Sequence, residues 1–386
     1  MPHSYFDHNA TTPIAPEVLR TLADSMGEVY GNASSIHYFG QMARQRVEAA
    51  RRSVAARFGC VAQEIVFTSG GTESDNLAIF GVARTRPGSH IVTSSMEHPA
   101  VLGACARLER EGHAVTCVAP GSDGRISADA VRRALRTDTV LVSIMHANNE
   151  TGVVQPVEEI AAVTKNAGVL FHIDGVQAAG KLSVCLRDLG ADLYSVSGHK
   201  FGAPKGVGAL YVRKGLVLDP ILYGGRHERE RRGGTENVPG VMALGCAADI
   251  AIETTAIEFL RDRLEEGILA SVPATQVNGS PRHRLPNTTN IRFEGIGGEA
   301  MTIALDLRGF AVSSGSACSS GALEPSHVLL AMGLTPAEAR SSVRFSLGPS
   351  NTAEEVDGLI EAVADCAGHL RRISATFRPE EAVVHA

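Results

Sequence analysis

The chain has 386 residues, 44% hydrophobic and 20% charged, with a formal net charge of −6. That length allows two domains and that composition a globular core, while the acidic balance argues against a general electrostatic partnership with nucleic acid or anionic membrane. No stretch approaches the roughly 20 apolar residues of a membrane span, and residues 1–8 lack the apolar centre of a signal peptide, so the cytoplasm is the expected location.

Between about 60 and 213, short Val/Ile/Leu-rich runs alternate with amphipathic stretches. The runs are 64–68, 90–93, 114–118, 139–144, 169–173, 192–196 and 209–212. This alternation predicts an α/β fold with a mainly parallel, seven-stranded sheet covered by helices. Ligands of such sheets bind at the carboxyl ends of the strands, so the residues that follow each run are the ones to inspect.

After the first run, Thr68-Ser69-Gly70-Gly71-Thr72-Glu73-Ser74-Asp75 leads through glycines into a helix whose exposed backbone N–H groups suit a phosphate. Thr72 and Asp75 also read as a capping box, a purely structural alternative. The segment lacks the lysine of a nucleotide P-loop and the full dinucleotide glycine pattern. After the second run comes Met96-Glu97-His98-Pro99, where His98 could stack on a cofactor ring or be a satisfied structural histidine. Asn149, in Asn148-Asn149-Glu150-Thr151-Gly152, could donate to a cofactor hydroxyl or a substrate carboxylate, or simply make a turn.

The fifth and sixth runs end in the most informative pair of segments. Asp174-Gly175-Val176-Gln177 offers a carboxylate and an amide, and Ser197-Gly198-His199-Lys200 offers an amine able to form an imine. A carboxylate for a protonated ring nitrogen and a lysine for an aldehyde together suggest pyridoxal phosphate, which draws electrons from a substrate carbon. Glu228-Arg229-Glu230-Arg231-Arg232 reads as a solvated charge run. A long helical pattern over 241–269 ends before Pro273.

The remainder predicts a smaller α+β unit, with strands at 289–293 and 342–347 and helices at 299–307 and 352–371. The expected division is a large domain over 15–250, a small domain made of 1–14 and 251–376, and a loose tail over 377–386. Seven cysteines, at 60, 105, 117, 185, 246, 318 and 366, include no Cys-x-x-Cys pair and form neither a zinc framework nor a disulfide scaffold. Six read as small hydrophobes. Cys318 differs, because Ser313-Ser314-Gly315-Ser316-Ala317-Cys318-Ser319-Ser320-Gly321 cannot bury itself, and a thiolate exposed there could be a nucleophile. In Ser342-Val343-Arg344-Phe345-Ser346-Leu347, period-2 alternation sets Arg344 opposite the apolar side chains, where its guanidinium could fork onto a carboxylate.

Taken together, these segments resemble the cysteine desulfurases of the NifS/IscS type, in the class V aminotransferase group. The resemblance runs from Tyr5-Phe6-Asp7-His8-Asn9-Ala10-Thr11-Thr12 to Gly348. Its most specific pieces are Ser197 to Lys200, Arg232-Gly233-Gly234-Thr235-Glu236-Asn237, and Ser313 to Ser320 followed by Leu323-Glu324-Pro325-Ser326-His327.

It implies a fold-type I pyridoxal-phosphate enzyme in which Lys200 links to the cofactor, Asp174 holds the pyridine nitrogen, Gln177 meets the ring hydroxyl and His98 stacks on the ring. Gly71, Thr72, Ser197 and His199 would hold the phosphate, with Thr235 reaching across a homodimer interface. Asn149 and Arg344 would bind the carboxylate of L-cysteine, and Cys318 would take the sulfur as a persulfide, leaving L-alanine. No intrinsic metal is implied, although Cys318 would be the residue to touch a transferred iron–sulfur cluster. A sulfur acceptor or iron–sulfur scaffold protein is the implied partner, and the loop leans toward the nitrogen-fixation branch. A selenocysteine lyase, a class V transaminase and, in a different class, a non-catalytic sulfur-relay or scaffold subunit are the alternatives. One departure is Ala33, where the family commonly has proline.

Overall fold

The structure, a computed structural model, describes residues 3–251, 253–314 and 324–373. Its strands, in chain order, are β1 (Ser4–Tyr5), β2 (Ile65–Thr68), β3 (His90–Ser94), β4 (Ala114–Val118), β5 (Thr139–Met145), β6 (Leu170–Asp174), β7 (Leu193–Ser197), β8 (Gly208–Val212), β9 (Thr275–Val277), β10 (Thr288–Phe293), β11 (Phe310–Ala311) and β12 (Ser342–Ser346).

Seven of them form the central sheet in the order β2-β8-β7-β6-β5-β3-β4. Only β8 runs against its neighbours, so the other six share one direction. Helices cover both faces, and every residue of β2, β3, β5, β7 and β8 is buried. A strand shielded on both sides needs apolar residues at successive positions rather than alternate ones. The continuous runs in the sequence have that cause.

β12, β10 and β9 make an antiparallel sheet with its own core of Phe6, Ile291, Phe293, Val343, Phe345 and Leu347. The helices Thr255–Ser271 and Ala353–Ile373 close over it. The first residues of the chain are stitched into this region, because β1 pairs in parallel with β11 and Asp7 bridges to Ser346.

Two local expectations are corrected. The helical pattern over 241–269 is two helices, Val238–Asp249 and Thr255–Ser271, because Ile250 turns extended at the first helix end. Ile250, Ile252, Thr254 and Thr255 are all β-branched and lower helix propensity at the break. The charge run at 228–232 is likewise not a simple solvated loop. Arg51 forks onto Glu228 at 2.7 and 2.8 Å with both side chains buried, and Phe67 N donates to the same carboxylate at 3.0 Å. Glu228, Arg229 and Glu230 take positive φ values of 47°, 58° and 68°, a strained run that this bidentate pair holds in place. Among the described residues, no helix is long and apolar enough to cross a membrane.

Candidate active site

A cavity of about 340 Å³ opens at the carboxyl edge of the six like-directed strands. The element after β2 supplies Gly71, Thr72 and Asp75, β3 is followed by His98, β5 by Asn149, β6 ends in Asp174, and β7 ends in Ser197. Lys200 follows β7 on one 3-10 turn. Gln177, His199 and Arg344 complete the set, so the cavity gathers ten of the twelve residues expected at the site, all but Thr235 and Cys318. Thr235 is exposed and lines nothing in the cavity of its own chain. Cys318 lies outside the described residues, as does the tail at 377–386.

Asp174 is buried and its Oδ1 accepts from Val176 N at 3.0 Å. Burial raises its pKa above the ordinary carboxylate value, while the fields of His98 and Lys200 pull it back. A positive group brought beside it would therefore be strongly favoured. Lys200 Nζ donates to the carbonyls of Asn9 at 2.5 Å and Ala10 at 2.9 Å. The segment Asn9–Thr12 is laid over the lysine turn, with Thr12 N bonded to His199 O at 2.9 Å.

His98 caps the helix Pro99–Arg110, its Nδ1 accepting from Ala100 N at 3.1 Å. Burial lowers its pKa, and Lys200 and His327 lower it further against the opposing pull of Asp174. The ring is therefore neutral near pH 7 and carries its proton on Nε2. It caps a helix, as a structural histidine would, and also lines the cavity.

The capping-box reading of Thr72 and Asp75 fails. The helix Gly71–Ala83 has no side-chain cap, and Glu73 instead accepts from Ser69 N at 2.8 Å. Asp75 is buried facing the cavity, its Oδ1 3.6 Å from His172 Nε2 and without a hydrogen bond, and burial, with Asp174 nearby, raises its pKa well above the ordinary value. The helix start is a close-fitting cradle, for a Cβ on Gly71 would stand 2.7 Å from Val176 Cγ2. His199 meets Thr11 Oγ1 at 3.2 Å through Nδ1, and burial lowers its pKa to about 4.

Arg344 is buried, not solvated on the outer face. Nη2 pairs with Asp7 Oδ1 at 2.6 Å, Nη1 donates to Asn149 O at 2.9 Å, and Nε is buried without a partner. Asn9, Asp7 and Lys181 were not singled out from the sequence, and Asp75 only as half of a capping box. Their work is done through contacts with distant residues, and the one available signal was the run of polar residues directly after Phe6.

The donors and acceptors present fit a phosphorylated, heteroaromatic cofactor. A helix start with uncapped N–H groups suits an anion, a buried carboxylate suits a protonated ring nitrogen, and a lysine lines the same cavity. A buried guanidinium Nε left unmatched at Arg344 is what a site built for a polar occupant would show.

The family described as Aminotransferase class-V matches residues 4–359. A cysteine desulfurase of Nostoc sp. (strain PCC 7120 / SAG 25.82 / UTEX 2576) is 47% identical over 384 residues, 98% of this chain and 96% of that one. A cysteine desulfurase of Cereibacter sphaeroides is 48% identical over 386 residues, 99% and 100% of the two chains. Among solved structures, a NifS-like protein superposes with a TM-score of 0.89 at 36% identity, covering 95% of this chain and 100% of its own. The structure titled SspA in complex with cysteine gives 0.82 at 37% identity, covering 90% and 99%.

Proposed function

The chain belongs to the class-V aminotransferase family, in the company of cysteine desulfurases, and on that premise we propose that it converts L-cysteine to L-alanine with pyridoxal 5'-phosphate, passing the sulfur to Cys318 as a persulfide. The observation that carries this reading is the convergence of Lys200, Asp174, Gln177, His98 and Arg344 on one cavity.

When bound, pyridoxal phosphate supplies an electron sink for the pair left at the substrate α-carbon. Lys200 would hold it covalently, Asp174 would keep its ring nitrogen charged, and Gln177 would meet its ring hydroxyl. Gly71, Thr72, Ser197 and His199 would hold the phosphate. Arg344 Nε and Asn149 offer donors for the substrate carboxylate, orienting the α-carbon toward the Lys200 amine, which moves the proton. His98 is placed to give a proton from Nε2, since Nδ1 is already engaged. The Cys318 thiolate would then bond the substrate sulfur as the carbon–sulfur bond breaks, its electron pair staying with the carbon that takes a proton to become the methyl group of alanine.

A homodimer completes the site in this reading. Tyr30, Ile36, Tyr38 and Tyr223 are 70%, 94%, 73% and 74% exposed. Ser34 Oγ contacts His227 Nε2 at 3.3 Å, so this apolar patch adjoins the segment leading to Thr235. A patch of such side chains suits an interface. The six described cysteines are all free thiols, which suits work in the reducing cytoplasm. Delivery to an iron–sulfur scaffold or another acceptor is the expected use of the persulfide.

The test is Cys318→Ala in the purified, cofactor-loaded protein given L-cysteine. Alanine release and protein persulfide should fall to background while the visible cofactor absorbance stays. Undiminished alanine release would remove nucleophilic sulfur transfer from the account.

A further inference from the structure

Lys181, four residues after Gln177, does not line the cavity itself but bonds two residues that do, Gln177 and Asn9. Its amine donates to Gln177 Oε1 at 2.6 Å and to Asn9 Oδ1 at 2.8 Å. Among the described residues, no carboxylate lies within 4.0 Å of it. Both partners are side-chain amides, which can turn over with almost no change of shape. A lysine ammonium has donors only, so it forces both amide oxygens to face it. Burial, with the like charges of Lys200 and Arg344, pushes the Lys181 pKa well below its ordinary value. Loss of one proton still leaves two N–H bonds, one for each oxygen.

The consequences follow from which atoms remain. The Asn9 amide nitrogen is turned toward Asn149 O at 3.1 Å and Thr288 Oγ1 at 2.8 Å. The Gln177 nitrogen is turned the other way, with one N–H given to Asn9 O at 2.9 Å. Its second N–H meets no acceptor among the described residues, and Gln177 lines the same cavity as Asp174 and Lys200. We infer that Lys181 is a positioning residue that locks the Gln177 amide with its donor toward the cavity, so that a cofactor's ring oxygen is met by an N–H and held ionised. This inference rests on the proposed cofactor. A donor favours the charged form of an oxygen, whereas a turned-over amide would offer it a carbonyl and favour the protonated form.

The experiment uses the full-length protein loaded with pyridoxal phosphate and compares its visible band with its near-ultraviolet band, which report the ionised and protonated ring oxygen. Lys181→Met should lower the visible-to-ultraviolet ratio about fivefold, the worth of one ordinary hydrogen bond. Lys181→Gln, which restores a donor, should recover most of it, and serves if the methionine variant does not fold. In a Gln177→Leu background, Lys181→Met should change the ratio no further. An unmoved ratio in the single variant overturns the inference and leaves the proposed function standing. A change that persists in the Gln177→Leu background overturns it too, assigning the effect to Asn9. If the wild-type protein takes up no pyridoxal phosphate, the proposed function falls first and the inference with it.

Discussion

Glu97 shows how one buried acid shapes the neighbourhood of the site. Its Oε1 accepts from Ser94 Oγ at 2.6 Å and Met145 N at 3.0 Å, while Oε2 is buried without a partner. Burial, reinforced by Asp174, pushes its pKa up to about 8, against the pull of those two hydrogen bonds. In the unfolded chain it titrates near 4.5. Between those values the folded state binds the extra proton, so this group's contribution to stability is present at low pH and is lost as pH rises. Glu97→Gln keeps the accepting oxygen and removes the ionisation. Its stability relative to wild type should therefore improve from pH 5 to pH 8, by at most about 1.4 kcal/mol per pH unit. Urea melts at the two pH values check this, and a difference that does not change with pH would refute it. At this scale the sequence was legible wherever chemistry follows a strand: Asp174, His98 and Lys200 each stand one to five residues beyond a readable apolar run. It was silent on Arg344 with Asp7, whose partners are 337 residues apart, and on Asn9 with Lys181, 172 apart. No local pattern encodes such pairs.

The unit made of β2, two glycines and the helix Gly71–Ala83 is the element that would hold an anion. Its geometry leaves little slack, since a methyl group on Gly71 would meet Val176. Gly71→Ala should leave the fold intact and raise the dissociation constant for pyridoxal phosphate about tenfold, roughly 1.4 kcal/mol of binding. An absorbance titration of the cofactor-free protein measures it, and unchanged affinity would mean that the anion sits elsewhere. The strands of the central sheet were readable because burial on both faces writes continuous apolar runs. β1, β9 and β11, of two or three residues, are too short to carry a period and went unseen. The break between the helices Val238–Asp249 and Thr255–Ser271 was missed because the apolar pattern continues across it while only the β-branched residues object. Glu228 was misread for a related reason: its neighbours in sequence are charged, but its partner Arg51 comes from another helix.

At the scale of the whole molecule, the exposed aromatic patch and the outlying Thr235 bear on assembly. Ile36→Glu puts a charge at the most exposed large apolar side chain of that patch, 94% accessible. Sedimentation should then show the proposed dimer dissociating at concentrations where wild type is expected to stay paired, and cofactor affinity should fall with it. A variant that is monomeric yet binds pyridoxal phosphate as tightly as wild type would remove Thr235 from the site. The parallel sheet and the carboxyl-edge location of the cavity were both legible from the order of runs. The way the chain's beginning is sewn into its end was not, and it governs biosynthesis. Asn9 N bonds to Ser346 Oγ at 2.9 Å and its side chain to Thr288 at 2.8 Å, while its carbonyl receives the Lys200 amine. A nascent polypeptide emerging from the ribosome thus has its opening residues in hand long before their mates are translated. The cavity is closed only once Arg344 and Ser346 have been translated, so products terminated before them should be devoid of cofactor.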